Sequence, residues 1–178
     1  RIPIPDPESL LGEPLGFVTT AGHASVNETR DLAATFPSPG GDLPEVAMLH
    51  TQVVSSRSAD AHEPYAPCEL ETLVEAGYDY WALGHVHLRQ ELHPHPAVHY
   101  PGNAQGRTPR ETGAKGCILA TVHRGAPAEW AFHALAPVRW ELLEMDDLGQ
   151  TSSVEGLVEA VVKEWTELRA ADPDPGAD

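Results

Sequence analysis

A helix signal and a strand signal stand back to back in "PCELETLVEAGYDYWALG", from Pro67 to Gly84. Glu69 and Glu71 suit the positive end of a helix, Leu70, Leu73 and Val74 form an inward stripe, and Gly77 supplies the stop. The pattern predicts a helix with Pro67 near its first turn, followed at once by a strand over "YDYWAL". Elements joined this tightly favour a layered fold of helix on sheet.

The strand runs out into Gly84-His85-Val86-His87. Two imidazoles one residue apart point to the same side of an extended backbone, and neutral imidazole is a good ligand for zinc, iron or manganese. Gly84 is expected to turn the chain sharply over the strand end. His50, which closes the apolar strand predicted over "EVAMLH", is the candidate third ligand.

In a chain with 10 histidines, spacing alone also fits ordinary hydrogen-bonded side chains, and both readings stand at this point. The run His93, His95 and His99 is broken by Pro94 and Pro96 and reads as an irregular turn, and His62 falls in a polar loop. His23, His123 and His133 read as surface or half-buried residues. The spacing of His85, His87 and Glu91 also resembles the metal motif of cupin barrels, although the later proline-glycine-histidine element of that family is absent.

Around this centre, "RIPIPDP" carries too many prolines for a long helix or a central strand and reads as an extended edge. "LGFVTTA" reads as a strand, "ETRDLAATF" as a short helix, and "VVSSRSADAHEPY" as a polar loop. "AVHYPG", "GCILATV", "EWAFHAL" and "VRWELLEM" read as short strands of an antiparallel layer. "SSVEGLVEAVVKEWTELRAA" is the clearest helix, with Ser152 and Glu155 as a capping box and Val154, Leu157, Val158, Val161, Trp165 and Leu168 on one face.

Composition limits the function. An apolar fraction of 41% over 178 residues supports one folded domain with an appendage. No apolar run approaches the roughly 18 residues that span a bilayer, so no membrane partner is expected and a cytoplasmic setting is. Cys68 and Cys117 form neither a disulfide framework nor a cysteine metal motif. The formal charge of -16 argues against nonspecific nucleic-acid binding. The charge is uneven: Glu141 to Asp178 holds 11 acids and 2 bases, whereas from His85 to Gly116 Arg89, Arg107, Arg110 and Lys115 outnumber Glu91 and Glu111. A phosphate-bearing ligand is best tolerated there.

Read together, "YAPCELETLVEAGYDYWALGHVH" and "VHYPGNAQGRTPRETGAKGCILATV" resemble the second half of the catalytic domain of calcineurin-like metallophosphoesterases, and most closely the SbcD-type and YhaO-type DNA repair exonucleases. The resemblance rests on Leu49-His50, the GHxH at Gly84 to His87, the PGN at Pro101 to Asn103, and the turns Gly106-Arg107 and Lys115-Gly116. It runs from about Phe17 to Asp147.

The resemblance implies an α+β or α/β layered fold, half of a β-sandwich flanked by helices. Residues 1–147 would form a partial catalytic domain, and 148–178 an acidic amphipathic helix and tail. It implies two divalent metal ions, most simply manganese, with His50 and His85 ligating one and His87 the other. Arg107 and Lys115 would be candidate substrate contacts. The family's D-x-H, G-D-x-x-D and G-N-H-D or G-N-H-E elements are all read as missing from this chain, and neither Asn27 nor Asn103 is followed by histidine.

No catalytic group beyond the metal ligands is therefore expected, because the general-acid histidine belongs to the missing half. The chain is expected to be a fragment with a partial or empty metal site and little or no activity alone. Implied partners are DNA, an SMC-like ATPase, and a missing N-terminal polypeptide or a second copy.

Overall fold

The computed structural model describes residues 1–9, 11–23, 28–57, 65–145 and 153–171. The strands β1 (Ile2–Pro5), β2 (Pro14–Ala21), β3 (Glu45–His50), β4 (Tyr80–Gly84), β5 (Gln90–Pro94) and β6 (Ala97–Tyr100) form one mixed sheet in the order β1-β2-β3-β4-β6-β5. Strands β2, β3, β4 and β6 run parallel, and β1 and β5 pair antiparallel at the two edges. A separate antiparallel hairpin joins β7 (Gly116–Thr121) and β8 (Glu129–Ala134). The helices are α1 (Leu70–Glu75) and α2 (Val154–Ala171), with a short 3-10 turn at Ala33–Thr35. The protein is thus a mixed α/β fold, mostly sheet with few helices.

The two-residue period of the strands sorts side chains into two faces. Ala47, Trp81 and Val98 lie side by side in register on one face and are fully buried. Phe36 stacks on Trp81 at 5.3 Å, Tyr78 meets it edge-on at 5.3 Å, and the indole N–H donates to the carbonyl of Leu73 in α1 at 2.8 Å. Truncating Trp81 to alanine would cost about 3–5 kcal/mol. The opposite face carries Tyr80 and His99, and Trp130 of β8 packs on His99 at 4.6 Å. Arg124, after β7, donates to Asp79 and to the carbonyl of Gly77, and Arg89 stacks over Phe132 at 3.9 Å. The hairpin therefore packs on the face turned away from α1.

Several sequence expectations need correction. The helix expected over "ETRDLAATF" is only the 3-10 turn, because Pro37 pushes Phe36 to an extended conformation (φ -69, ψ 138). Helix α1 begins at Leu70 rather than near Pro67, since the backbone of Cys68 is committed to Gln52 and Val54. "AVHY" joins the main sheet beside β4 rather than the antiparallel layer, and the supposed turn through His93 contains β5. "VRWELLEM" forms no strand over its described residues; it runs as a strap, with Trp140 donating to the carbonyl of Gly106 and accepting from the amide of Gly113.

The terminal helix forms as expected, but among the described residues its apolar stripe is mostly exposed: Val154 is 73% exposed and Trp165 45%. Ser152 of the expected capping box lies outside the described residues. Ser153 caps instead, its hydroxyl accepting from the amide of Gly156 at 3.1 Å.

Candidate active site at the strand ends

The parallel strands β2, β3 and β4 deliver their C-terminal ends to one edge of the sheet, where His50 stands opposite Gly84. The His50 ring occupies the space a side chain at Gly84 would need: a Cβ there would lie 3.0 Å from Nδ1 of His50. The sharp turn expected of Gly84 is made one residue later. His85 itself adopts φ 104, a left-handed conformation rare for a residue with a side chain. This turn swings the His85 ring to within 5.2 Å of His50.

Two further rings complete the cluster. His23, just past the end of β2, donates from Nε2 to the carbonyl of His50 at 2.6 Å, the two rings 5.8 Å apart. Tyr65 stacks on His85 at 5.6 Å and meets His23 at a tilt, centroids 4.6 Å apart. Tyr65 is held there because Gln52 donates its amide to the Tyr65 carbonyl and Thr51 its hydroxyl to Ala66, while buried Tyr100 donates to the carbonyl of Thr51. Sequence reasoning reads His23 as surface or half-buried, and it is half-buried, but places neither it nor Tyr65 at the site. The signal for His23 was its place two residues beyond a strand that runs parallel to β3.

Partial burial first, and then the charges His23 and His87 would carry, push the His50 imidazole below its ordinary pKa. It is therefore neutral at neutral pH, the form that ligates metal. His87 is turned elsewhere: its Nδ1 lies 2.5 Å from Oε1 of Glu111. Buried Val86 anchors the segment between the two histidines.

Of the candidate substrate contacts, Arg107 is exposed and its backbone N–H donates to Glu111. Lys115 is 8% exposed, so it is no solvated turn residue, and its carbonyl accepts from Leu135 and Ala136. Glu91 lies on β5, 4.0 Å from buried His99, and does not join His85 and His87 in a cupin-like set. His93 donates from Nδ1 to the carbonyl of Pro96, and His123 and His133 are exposed. His62 lies outside the described residues, as does the rest of the triplet Asp60-Ala61-His62, a D-x-H in sequence that the motif reading passed over.

For a divalent metal, the imidazoles of His50 and His85 fit in kind and meet at one edge, but His87 pairs with Glu111 and does not join them as a third ligand. Among the described residues, no group of three His, Cys, Asp or Glu side chains could hold a metal ion.

No protein-family model matches the chain. Among curated proteins, it is 39% identical over 125 residues to the "Uncharacterized metallophosphoesterase YhaO" of Bacillus subtilis (strain 168). The match takes in 70% of this chain and 29% of that relative, so the chain spans under a third of the relative's length. A metallophosphoesterase is thus a homologue of this chain over most of its residues. No helix among the described residues is long and apolar enough to cross a membrane.

Proposed function

We propose that this chain contributes part of the catalytic layer of a metal-dependent phosphodiesterase acting on DNA ends, as half of a calcineurin-like sandwich. The observation that carries the reading is the meeting of His50 and His85 at adjoining parallel strand ends, in a chain with a metallophosphoesterase homologue. His50 and His85 are assigned to one cation and His87 to another. When bound, two divalent ions, proposed to be manganese, supply Lewis acidity toward the phosphoryl oxygens. The chain's own share is to hold the imidazoles on rigid strand ends and to stack Tyr65 behind them. Arg107 and Arg110 are exposed on the neighbouring loop, which suits a phosphate backbone.

The incomplete ligand set leads to the further proposal that the chain is inactive alone and that its cytoplasmic parent supplies the missing ligands. DNA and an SMC-like ATPase are the partners this reading implies, alongside an N-terminal polypeptide or a second copy. The charge of -16 favours one alternative, a small phosphate ester in place of a polyanion.

A manganese-dependent assay on linear double- and single-stranded DNA, run beside a small phosphodiester, tests these points. No turnover is expected from this chain, and turnover from the longer protein should be abolished by His85→Ala. Turnover by the chain alone that His85→Ala removes would refute the fragment reading, and cleavage of the small ester alone would refute the DNA assignment.

A further inference from the structure

Glu111 collects four hydrogen bonds on one carboxylate. Oε1 accepts from Nδ2 of Asn103 at 3.1 Å and lies 2.5 Å from Nδ1 of His87; Oε2 accepts from the backbone amides of Arg107 at 2.5 Å and Thr108 at 3.3 Å. All the partners but His87 belong to the loop between β6 and β7 that carries Glu111 itself. That loop is seated against the histidine segment. Gly102 has φ +81, and a Cβ there would lie 2.9 Å from the carbonyl oxygen of His87 and 3.2 Å from the amide of Arg89. Only glycine permits both the conformation and the approach.

The side-chain exposures set the direction of control: His87 is 50% exposed and Glu111 16%. A half-exposed imidazole would sample several rotamers, whereas the carboxylate is already fixed by three loop donors. The side-chain amide of Asn103 and the backbone amides of Arg107 and Thr108 all donate to the Glu111 carboxylate, and an ionised carboxylate only accepts. The proton of the shared bond therefore sits on Nδ1 of His87.

We propose that Glu111 is a positioning residue for His87: it holds the Nδ1–H tautomer and turns Nε2 outward as the nitrogen available to the site. The proposal rests on the reading that His87 works at a phosphoester site, and it assigns the PGN-to-Glu111 loop a purpose in that reading. A carboxylate behind an imidazole orients the ring and raises the basicity of its far nitrogen, and losing such a partner typically costs about 10–100-fold in metal affinity or activity. Neutral histidine free in water favours the opposite tautomer, with the proton on Nε2, so the bond to Glu111 leaves a signature independent of turnover.

Long-range proton–nitrogen NMR correlation on the intact protein with 15N-labelled histidine, at a pH where the imidazoles are neutral, reads the tautomer directly. His87 is expected as Nδ1–H in the wild type; finding it as Nε2–H overturns the proposal without any variant. In Glu111→Gln a single amide oxygen must serve both the ring and the loop amides, so the His87 signals should move toward Nε2–H while those of His99, buried against Tyr80 and Trp130, stay in place as a check on folding. Unchanged His87 signals in a folded Glu111→Gln protein also overturn it. In the longer protein, Glu111→Gln should lower kcat about 10–100-fold. The expected tautomers with unaltered turnover would leave the Glu111–His87 pairing standing and defeat the reading of His87 as a working site residue.

Discussion

The ring of His50 fills the place where Gly84 lacks a side chain: Nδ1 stands 3.0 Å from where a Cβ would be. His23, Tyr65 and His85 hem the ring in, so it cannot swing away at little cost. Gly84→Ala should therefore destabilise by about 1–3 kcal/mol through overpacking. That outweighs the gain of about 0.4–1 kcal/mol from a stiffer unfolded chain. Thermal unfolding checks this, with the NMR signals of His50 as the local readout; a variant as stable as the wild type with an unmoved His50 ring would be inconsistent with the geometry.

His85 holds φ 104 with a full side chain, a conformation that costs about 1–3 kcal/mol when the residue is not glycine. His85→Gly and His85→Ala both remove the imidazole, but only the first relieves the backbone. The glycine variant should be the more stable by about 1 kcal/mol or more in denaturant titrations. The reverse order would mean that the backbone is not strained there.

The two cysteines should separate chemically. Cys68 is buried, and desolvation pushes its thiol up to about 11, while Cys117 is exposed. Since the thiolate is the reactive form, a native sample should consume one equivalent of a thiol reagent quickly, at Cys117, and a second only on unfolding. Mass spectrometry of the labelled peptides locates the sites; rapid labelling of Cys68 would contradict the structure.

Stability should fall in mild acid through His99. Its ring is 1% exposed, beside the Tyr80 hydroxyl at 3.1 Å and the Trp130 ring, with Glu91 at 4.0 Å. Burial lowers its pKa and outweighs the opposing pull of Glu91. With the folded pKa depressed, the unfolded chain binds the proton first. The contribution is thus complete above the ordinary histidine pKa of about 6.5 and is lost as pH falls toward the folded value. Urea titrations between neutral and mildly acidic pH should show a slope that shrinks in His99→Gln by up to about 1.4 kcal/mol per pH unit, the limit for one proton. An unchanged slope would show that His99 titrates alike in the folded and the unfolded chain.

Local order was legible wherever one period or one stop signal dominates. The strand ends at His50 and Gly84, the β7–β8 hairpin and the long α2 all follow from alternation, 3.6-residue periodicity and glycine placement. The GHxH centre and its kinship to phosphoesterases were likewise written in residue identity. The four-ring cluster was not, because His23 and Tyr65 reach His50 and His85 only through parallel pairing of β2, β3 and β4 and the bridging of residues 51–54 to 65–68. Nor was the bond from His87 to Glu111, 24 residues apart, which exists because a loop held by its own amides folds back on the strand end. By itself, the sequence determined which segments are straight and set the GHxH imidazoles at the end of one of them. Tertiary structure alone decided which imidazoles meet and which way each faces, since ring orientation depends on contacts that neither periodicity nor spacing encodes.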